Sequence, residues 1–304
     1  MCDILVQPVE ELNWGEPTSF VDTIEQRCGG SAASTARTLA ILGVPVRLLS
    51  AVGRDNQARF VLEVIRLAGV DTEHVSRDAG RTACTVALVN SCGDRKFFHR
   101  CGPAVGASGI DPTLYAGMAH FHLCGVFVTP GLREQAPELL KSARAAGLRT
   151  SFDTNWDPRQ RWLDTLEPCL PSVNLLFMNE VEAVRITGQT EPRLMARWAI
   201  ARGVPTCVLK LGARGCAIYT DDVEILCPAF EVEARDTTGA GDCFAGGFLS
   251  ALHRGASLAE AGLFANAVAA MSVEQVGAVE GVRSAAETEA WMRRTPQRKA
   301  TANV

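Results

Sequence analysis

The stretch Asp236-Thr-Thr-Gly-Ala-Gly-Asp-Cys-Phe-Ala-Gly-Gly-Phe-Leu249 joins a glycine-rich turn and two carboxylates to the start of an apolar helix. Gly239, Ala240 and Gly241 carry little or no side chain, so their backbone N–H groups can approach a phosphate. A helix that begins there adds unpaired donors and the positive end of its dipole. Asp242 can accept the proton of an attacking hydroxyl beside these amides. The segment predicts a phosphoryl-transfer site, although glycine turns with helix-start acids also occur without a catalytic role.

Outside this segment, amphipathic stretches repeatedly end in glycine and are followed by short apolar runs. Glycine in that position is typical of a helix that ends in the left-handed conformation, and the apolar runs are typical of strands covered on both faces. The alternation predicts a parallel α/β sheet. The predicted helices are 32–42, 58–68, 134–146 and 194–202, and the predicted strands are 46–52, 148–152, 175–178 and 206–211. Two further helices are predicted from 240 to about 276, the second beginning with a capping box of Ser257 and Glu260.

Two regions depart from this alternation. Residues 19–27 are strand-like, and residues 82–100 are typical of a hairpin whose strands, 83–90 and 96–99, flank a turn at 91–94. They predict a small β-strand lid, with segments at about 8–28 and 82–104, on a single domain spanning 1–292; an antiparallel sheet edge is the other interpretation. The polar, basic residues 293–304 are expected to form a flexible tail.

Composition narrows the class of protein. The 304 residues are 47% hydrophobic and 21% charged, with a net charge of −4, so we expect a globular protein without general attraction to nucleic acid or anionic membranes. Apolar runs of roughly 18 residues and a signal-peptide pattern are both missing from the sequence, which favours a cytoplasmic location. The eleven cysteines include no C-x-x-C pair, so they indicate neither a zinc site nor a disulfide framework.

The string 236–242 closely resembles the D-T-x-G-A-G-D signature of the ribokinase or PfkB family of carbohydrate kinases. Residues 29–34 resemble the family's G-G-x-x-x-N signature, with Ser34 in place of asparagine. Residues 2–7 are similar to its G-D-x-x-x-D strand, with Cys2 in place of glycine and Gln7 in place of the second aspartate. The resemblance covers nearly all of the chain and implies a ribokinase-like three-layer α/β/α fold with a mostly parallel central sheet and a small β-strand lid.

The resemblance also implies roles for individual residues. Those implied on the substrate side are Gln7, Gly29, Gly30, Ser34 and Asn155, and those implied on the ATP side are Asn179, Lys210, Gly212, Gly215 and Asn266. Glu182 completes an N-x-x-E motif with Asn179 that implies Mg²⁺ held through water, which suits a hard cation that keeps its hydration. Asn179 is also a candidate helix N-cap, and 210–215 could be a plain hairpin turn. Asp236, Thr238 and Gly277 correspond to positions where relatives bind a monovalent cation through backbone carbonyls, so K⁺ is a further hypothesis.

These observations favour an ATP-dependent kinase that phosphorylates a hydroxyl of a small sugar or sugar derivative, with Asp242 as base and the 239–241 amides as anion hole. The alternatives are a nucleoside kinase of the same superfamily and a non-catalytic sugar- or nucleotide-sensing protein on this scaffold. A sensor needs no base, so Asp242 and the pair Asn179 and Glu182 argue against it. A dehydrogenase is disfavoured because Gly-x-Gly after the first strand is missing from the sequence. Pairing of lid strands between subunits would make the protein a homodimer.

Overall fold

The computed structural model describes residues 1–12, 14–15, 17–104 and 112–298. Its strands are β1 (Cys2–Gln7), β2 (Thr23–Cys28), β3 (Ser50–Val52), β4 (Val75–Arg77), β5 (Cys84–Val89), β6 (Arg95–Arg100), β7 (His120–Leu123), β8 (Arg149–Asp153), β9 (Leu175–Asn179), β10 (Thr206–Lys210), β11 (Cys216–Tyr219) and β12 (Glu224–Cys227). Its helices are α1 (Ser31–Ile41), α2 (Asn56–Leu67), α3 (Leu132–Ala145), α4 (Trp162–Cys169), α5 (Glu180–Thr187), α6 (Pro192–Ile200), α7 (Ala240–His253), α8 (Leu258–Val273) and α9 (Ala285–Arg294).

The largest sheet has six strands in the order β12-β11-β10-β9-β8-β7. Strands β7 to β10 run parallel, and β11 and β12 add an antiparallel edge. Alternate residues of β9 face opposite sides: Leu176 and Met178 pack with α3 to α6, whereas Leu175 and Phe177 pack with α7 and α8. The predicted three-layer α/β/α architecture with a mostly parallel sheet is therefore confirmed.

The predicted helix ends and three of the predicted strands agree with this architecture. Helices α1, α2, α3 and α6 each end just before a glycine with positive φ, at Gly43, Gly69, Gly147 and Gly203. The predicted strands 148–152, 175–178 and 206–211 correspond to β8, β9 and β10. The Ser257–Glu260 capping box at the start of α8 is also present.

The predicted strand 46–52 is longer than the strand observed, and it does not join the six-stranded sheet. Only Ser50–Val52 forms a strand, β3, and it pairs in parallel with β4 in a separate two-stranded sheet. The Leu48 amide donates to the Asp71 carbonyl and the Asp71 amide donates to the Val46 carbonyl, so this run is bonded to the segment that follows α2. Local sequence predicted the extended conformation but could not identify the pairing partner.

A separate four-stranded sheet, hereafter the lid sheet, has the order β2-β1-β5-β6. The predicted hairpin is present as β5 and β6, and they pair antiparallel from Cys84↔Arg100 to Val89↔Arg95. Among the described residues of the predicted segment 8–28, only those of β2 form a strand, and it pairs with β1, which also belongs to this sheet. Arg95, Phe97 and His99 share one face of β6, because successive strand residues point to opposite faces.

The C-terminal segment is ordered farther than the sequence predicts. Helix α9 continues to Arg294, and Glu231 and Arg298 donate backbone hydrogen bonds to Pro296 and Ala229. The predicted flexible tail therefore does not begin at Arg293; its residues 299–304 lie outside the described part of the chain. Among the described helices, none combines the length and apolar character required to cross a membrane.

Candidate active site

Three neighbouring parallel strands end in polar residues: β8 at Asp153, β9 at Asn179 and β10 at Lys210. Lys210 lies opposite Asn179 in the strand register. The carboxyl ends of parallel strands form the usual ligand crevice of such sheets. Helix α7, which begins directly after Gly239, brings Asp242 to the same edge.

The glycine-rich turn leaves the first amides of α7 without a side-chain cap. Gly239 is the N-cap residue, its φ is +72°, and it has no side chain that could cap the helix by accepting a hydrogen bond. A Cβ at this position would also lie 2.8 Å from the Cβ of Ala278, so a larger residue would be strained and would clash. The turn therefore presents backbone donors at the positive end of a helix dipole, which is a suitable site for an anion.

Asp242 lies in the first turn of α7 and is half-buried. Asn155 Nδ2 lies 3.4 Å from one of its carboxylate oxygens, and Thr35 Oγ1 donates to its backbone carbonyl over 3.3 Å. Loss of hydration, reinforced by the negative charge of Asp153 and opposed by Lys210, raises the pKa of Asp242 from 3.8 to about 7. A carboxyl with a pKa near neutrality can both take up and release a proton at physiological pH.

Lys210 and Asp153 form a buried ion pair next to this carboxyl. The Lys210 ammonium lies 2.9 Å and 2.8 Å from the two carboxylate oxygens of Asp153. Burial alone would lower the Lys210 pKa, but the charges of Asp153 and Glu182 outweigh it, so the pKa is raised. The same ammonium lies 3.3 Å from where a Cβ on Gly241 would be. A positive charge is therefore held against the glycine-rich turn.

Asn179 and Glu182 form the capping box of α5. The Asn179 side chain accepts from the Glu182 amide over 2.9 Å, and Glu182 Oε2 accepts from the Asn179 amide over 3.0 Å. Thr154 Oγ1 also donates to this oxygen over 2.7 Å. Burial raises the pKa of Glu182. The N-cap interpretation of Asn179 is confirmed, and it does not exclude a ligand contact.

The Glu182 carboxylate can bind Mg²⁺ if most of the other ligands are not protein side chains. A carboxylate is a suitable hard oxygen ligand. However, the described residues contain no group of three or more His, Cys, Asp or Glu side chains that could hold a metal ion. A magnesium ion here would take its remaining ligands from water and substrate phosphates, as the sequence predicts.

The predicted substrate-side residues lie in three parts of the structure: the segment after β8, the start of α1 and the lid sheet. Asn155, with φ of 46°, accepts from the Gly125 amide over 2.7 Å while its side-chain amide approaches Asp242. Gly29 and Gly30 lead from β2 into α1, and Ser34 is fully buried in the first turn of that helix. Gln7 is half-buried at the end of β1 in the lid sheet.

Asp3 leaves no room for a side chain at Gly29; it lies in the quoted strand motif 2–7, but the sequence analysis gave it no role. A Cβ at Gly29 would lie 1.8 Å from Asp3 Oδ2. Asp3, Thr85 and His99 lie directly opposite one another across β1, β5 and β6. Thr85 Oγ1 is 3.0 Å from His99 Nδ1, whereas the buried Asp3 Oδ1 has no hydrogen-bond partner within the described structure. Burial raises the Asp3 pKa to about 6.

Of the predicted ATP-side residues Gly212, Gly215 and Asn266, the last two contact the same segment and Gly212 does not. A Cβ at Gly215 would lie 2.0 Å from the Cys227 carbonyl oxygen, and Asn266 Nδ2 donates to the same carbonyl over 2.9 Å and to that of Pro228 over 3.0 Å. Gly212 has open space around it. Gly215 and Asn266 therefore fix the segment after β12, and Lys210 lies apart from them beside Asp153.

Asp236, Thr238 and Gly277 come together through the Asp236 side chain. Its two oxygens accept from the Thr238 amide over 2.8 Å and the Gly277 amide over 2.9 Å. Arg95 of the lid sheet also contacts this carboxylate, with Nη1 2.7 Å from Oδ1, and donates to the Thr238 hydroxyl. The sequence analysis did not identify Arg95, because nothing in residues 91–100 indicates a partner about 140 residues away.

Comparison with known proteins identifies the family of this chain. Residues 3–285 match the model of the pfkB family of carbohydrate kinases, so the chain belongs to that family. It is 30% identical over 286 residues to the ATP-dependent ribose-1-phosphate kinase of Halopiger xanaduensis, covering 93% of this chain and 91% of the other. It is 29% identical over 267 residues to the aminoimidazole riboside kinase of Salmonella typhimurium, covering 83% of each chain.

Solved structures confirm the ribokinase-like fold. A PfkB protein from a Polaromonas species superposes with a TM-score of 0.80 at 27% identity, covering 96% of each chain. The Arabidopsis thaliana ribokinase complexed with ribose and ATP superposes with a TM-score of 0.82 at 23% identity, also over 96% of each chain. The chain is thus a kinase of the pfkB family of carbohydrate kinases, with the fold that the sequence predicted.

Proposed function

We propose that this protein transfers the γ-phosphoryl group of ATP to a hydroxyl of a small sugar or sugar derivative. The observation that carries the proposal is the position of Asp242, whose pKa is raised to about 7 directly beside the uncapped first amides of α7. A base and an anion site are thereby placed within one helical turn. Such an arrangement suits a hydroxyl that loses its proton as it attacks a phosphoryl group.

In the proposed reaction Asp242 accepts the hydroxyl proton, and the amides of Gly239 to Gly241 stabilise charge on the transferred group. Asn155 orients the Asp242 carboxylate from 3.4 Å. Lys210 adds positive charge beside the turn, and its bonds to Asp153 keep its side chain in place. Magnesium bound near Glu182 through water would neutralise phosphate charge. The remaining catalysis comes from positioning the two substrates.

A nucleoside kinase is the second candidate, and one exposed aromatic side chain favours it. Trp156 follows Asn155 directly and is 49% exposed, with its ring packed edge-on against Trp162 at 5.3 Å between centroids. An exposed indole at this edge could stack on a base. The relatives named above include kinases of a sugar phosphate and of a riboside, so both substrate classes belong in the test.

The deciding experiment is ADP release from Mg-ATP over a panel of ketoses, aldoses, sugar acids, sugar phosphates and nucleosides. We expect turnover on one class that disappears in Asp242→Asn. Asp222→Asn is the matched control, because Asp222 is an exposed carboxylate in the turn between β11 and β12. Turnover that persists in Asp242→Asn would refute the assigned base. If the protein binds ATP but turns over none of the substrate classes, the sensor function is favoured.

We further propose a homodimer formed through the outer face of the lid sheet. Ile24 and Phe98 are 70% and 47% exposed there, on the face opposite Arg95 and His99. Apolar side chains exposed together on a sheet favour association. Sedimentation of wild type and Ile24→Lys tests this: a dimer that the substitution dissociates supports it, and a wild-type monomer refutes it.

We propose the cytoplasm as the site of the activity, since it supplies Mg-ATP. Potassium activation at Asp236, Thr238 and Gly277 remains a proposal supported by their clustering. Equal turnover in sodium, in potassium and without either ion would refute potassium activation.

A further inference from the structure

Arg95 links two parts of the molecule that are far apart in sequence. It begins β6, on the hairpin of the lid sheet, and its side chain extends to the glycine-rich turn before α7. Nη1 lies 2.7 Å from Asp236 Oδ1, and the guanidinium also donates to the Thr238 hydroxyl. Both acceptors lie within three residues of Gly239. The hairpin and the turn are therefore joined by one side chain.

The contact is well shielded from water. The Arg95 side chain is 20% exposed and the Asp236 side chain 6% exposed. Burial would raise the Asp236 pKa, but hydrogen bonds from Thr238, Gly277 and Arg95 outweigh it and lower the pKa. The carboxylate is thus ionised next to the guanidinium. Shielded, charge-assisted hydrogen bonds of this kind are stronger than exposed surface pairs.

Asp236 transmits this contact to both sides of the turn. Its Oδ1 also accepts from the Thr238 amide, and its Oδ2 accepts from the Gly277 amide. Gly239 itself packs against Ala278, where an added Cβ would clash. The turn is therefore held between the 277–278 loop on one side and Arg95 on the other, and the Arg95 contact requires the β5–β6 hairpin to lie against the α/β domain.

We propose that Arg95 is the positioning residue through which the lid sheet holds the phosphoryl-binding turn in its working geometry. With the hairpin in place, the guanidinium fixes Asp236 and Thr238 and thereby the direction of the amides at 239–241. Displacement of the hairpin releases the turn, so phosphoryl transfer is tied to closure of the lid over the substrate. This inference rests on the proposed kinase function.

The first test is amide hydrogen exchange, which needs no substrate. In Arg95→Met, which keeps the length of the side chain but not its charge, we expect the amides of Thr238 and Gly277, which donate to Asp236, to exchange about tenfold faster than in wild type. Lys96→Gln is the matched control, since Lys96 is the next residue on β6 and points to the other face. Unchanged exchange at Thr238 and Gly277 in a folded Arg95→Met protein would overturn the proposal.

The second test uses steady-state kinetics on the substrate identified by the panel. We expect Arg95→Met to lower kcat about 10- to 100-fold with less change in the KM values, because aligned amides act on the transition state. Arg95→Lys, which keeps the charge but not the paired donors, should retain an intermediate rate and serves if Arg95→Met does not fold. A raised sugar KM with normal kcat would instead make Arg95 a substrate ligand and overturn the positioning role.

A double-mutant cycle of Arg95→Met with Thr238→Val tests whether Arg95 affects kcat through its contact with Thr238. If both substitutions disrupt one contact, their effects on kcat are smaller together than the product of the single effects. Independent, multiplicative effects would contradict the proposal. If wild type turns over no substrate, the kinase function fails while hydrogen exchange still decides the Arg95 contact; if Asp242→Asn is inactive but Arg95→Met is normal, only the Arg95 proposal fails.

Discussion

The α/β domain and the lid sheet differ in how many faces of their β-sheets are covered by other parts of the protein. Strand β9 is covered on both faces, with Phe152 and Leu176 packing on one side of the sheet and Phe177 with Phe248 on the other. The lid sheet buries Thr85, Ala87 and Val89 on the face that carries Arg95, although Phe97 on that face is 58% exposed, and its other face exposes Ile24 and Phe98. A doubly covered sheet can fix side chains for chemistry, whereas a singly covered one can be displaced at lower cost.

Each region also contains an aspartate whose pKa is raised, and the surroundings of the two aspartates differ. Asp242 in the domain has Asp153, Lys210 and Asn155 around it, and its pKa is about 7. Asp3 in the lid sheet is half-buried beside Gly29, its Oδ1 has no hydrogen-bond partner among the described residues, and its pKa is about 6. We therefore expect Asp242 to determine activity and Asp3 to affect mainly stability.

The largest expected effect is on the chemistry of the domain. Asp242→Asn should lower kcat by roughly two to four orders of magnitude, the usual range for loss of a positioned base, with ATP affinity nearly unchanged. Turnover and ATP titration on the same preparation measure both quantities. A parallel loss of ATP affinity would indicate that the substitution disturbs the turn rather than the base.

The second-largest expected effect is a difference between the two regions in how much the loss of one aromatic ring lowers the free energy of unfolding. Phe177→Ala removes a fully buried ring that packs on Phe244 and Phe248, and we expect it to lower the free energy of unfolding by about 3–5 kcal/mol. Phe98→Ala on the outer face of the lid sheet should lower it by less than about 1 kcal/mol. Urea unfolding of both variants measures the difference, and equal losses would contradict the contrast in coverage.

The pH dependence of activity should follow Asp242. Because the base must be ionised, kcat/KM should fall about tenfold per pH unit below pH 7 and level off above it. Asp153→Asn removes a negative neighbour and leaves Lys210 unpaired, so it should move this profile to lower pH. A rate that is constant between about pH 5.5 and 8 would refute the role of Asp242 as the titrating base.

The smallest expected effect concerns Asp3 and stability. Its pKa is raised from 3.8 to about 6 in the folded protein, so the stability it contributes is present below the unfolded pKa and is lost as pH rises through the folded pKa. Asp3→Asn should therefore raise the melting temperature by about 2–6 °C at pH 8 and leave it nearly unchanged at pH 4. A melting temperature lowered at pH 8 would show that the charged carboxyl is stabilising.

Much of the fold followed from local patterns. Glycines after amphipathic stretches gave the ends of α1, α2, α3 and α6, because left-handed termination depends on the residue itself. The hairpin of β5 and β6 was predicted from its turn. The partners of 46–52 and the membership of β1 in the lid sheet were not predicted, since strand pairing is decided by distant segments.

The features of the candidate site also fall into those that local sequence predicted and those that it did not. The segment 236–242 was identified from its glycines and carboxylates, and the pair Asn179 and Glu182 from the family resemblance, since each motif is local in sequence. The salt bridge of Lys210 with Asp153, the raised pKa of Asp242 and the Asp3 contact with Gly29 were not. Each of these depends on groups at least 20 residues apart in the chain, and no signal within one segment indicates them.

The sequence by itself determined the class of chemistry and the alternation of helices with parallel strands, because a glycine-rich turn before an apolar helix and the spacing of apolar residues have direct conformational consequences. The three layers were implied by the family resemblance. Only the tertiary structure decided which charges meet. It placed Lys210 against Asp153, raised the pKa of Asp242 by removing water, and brought Arg95 of the lid sheet to Asp236. Electrostatic interactions depend on distance and burial, and folding alone sets both.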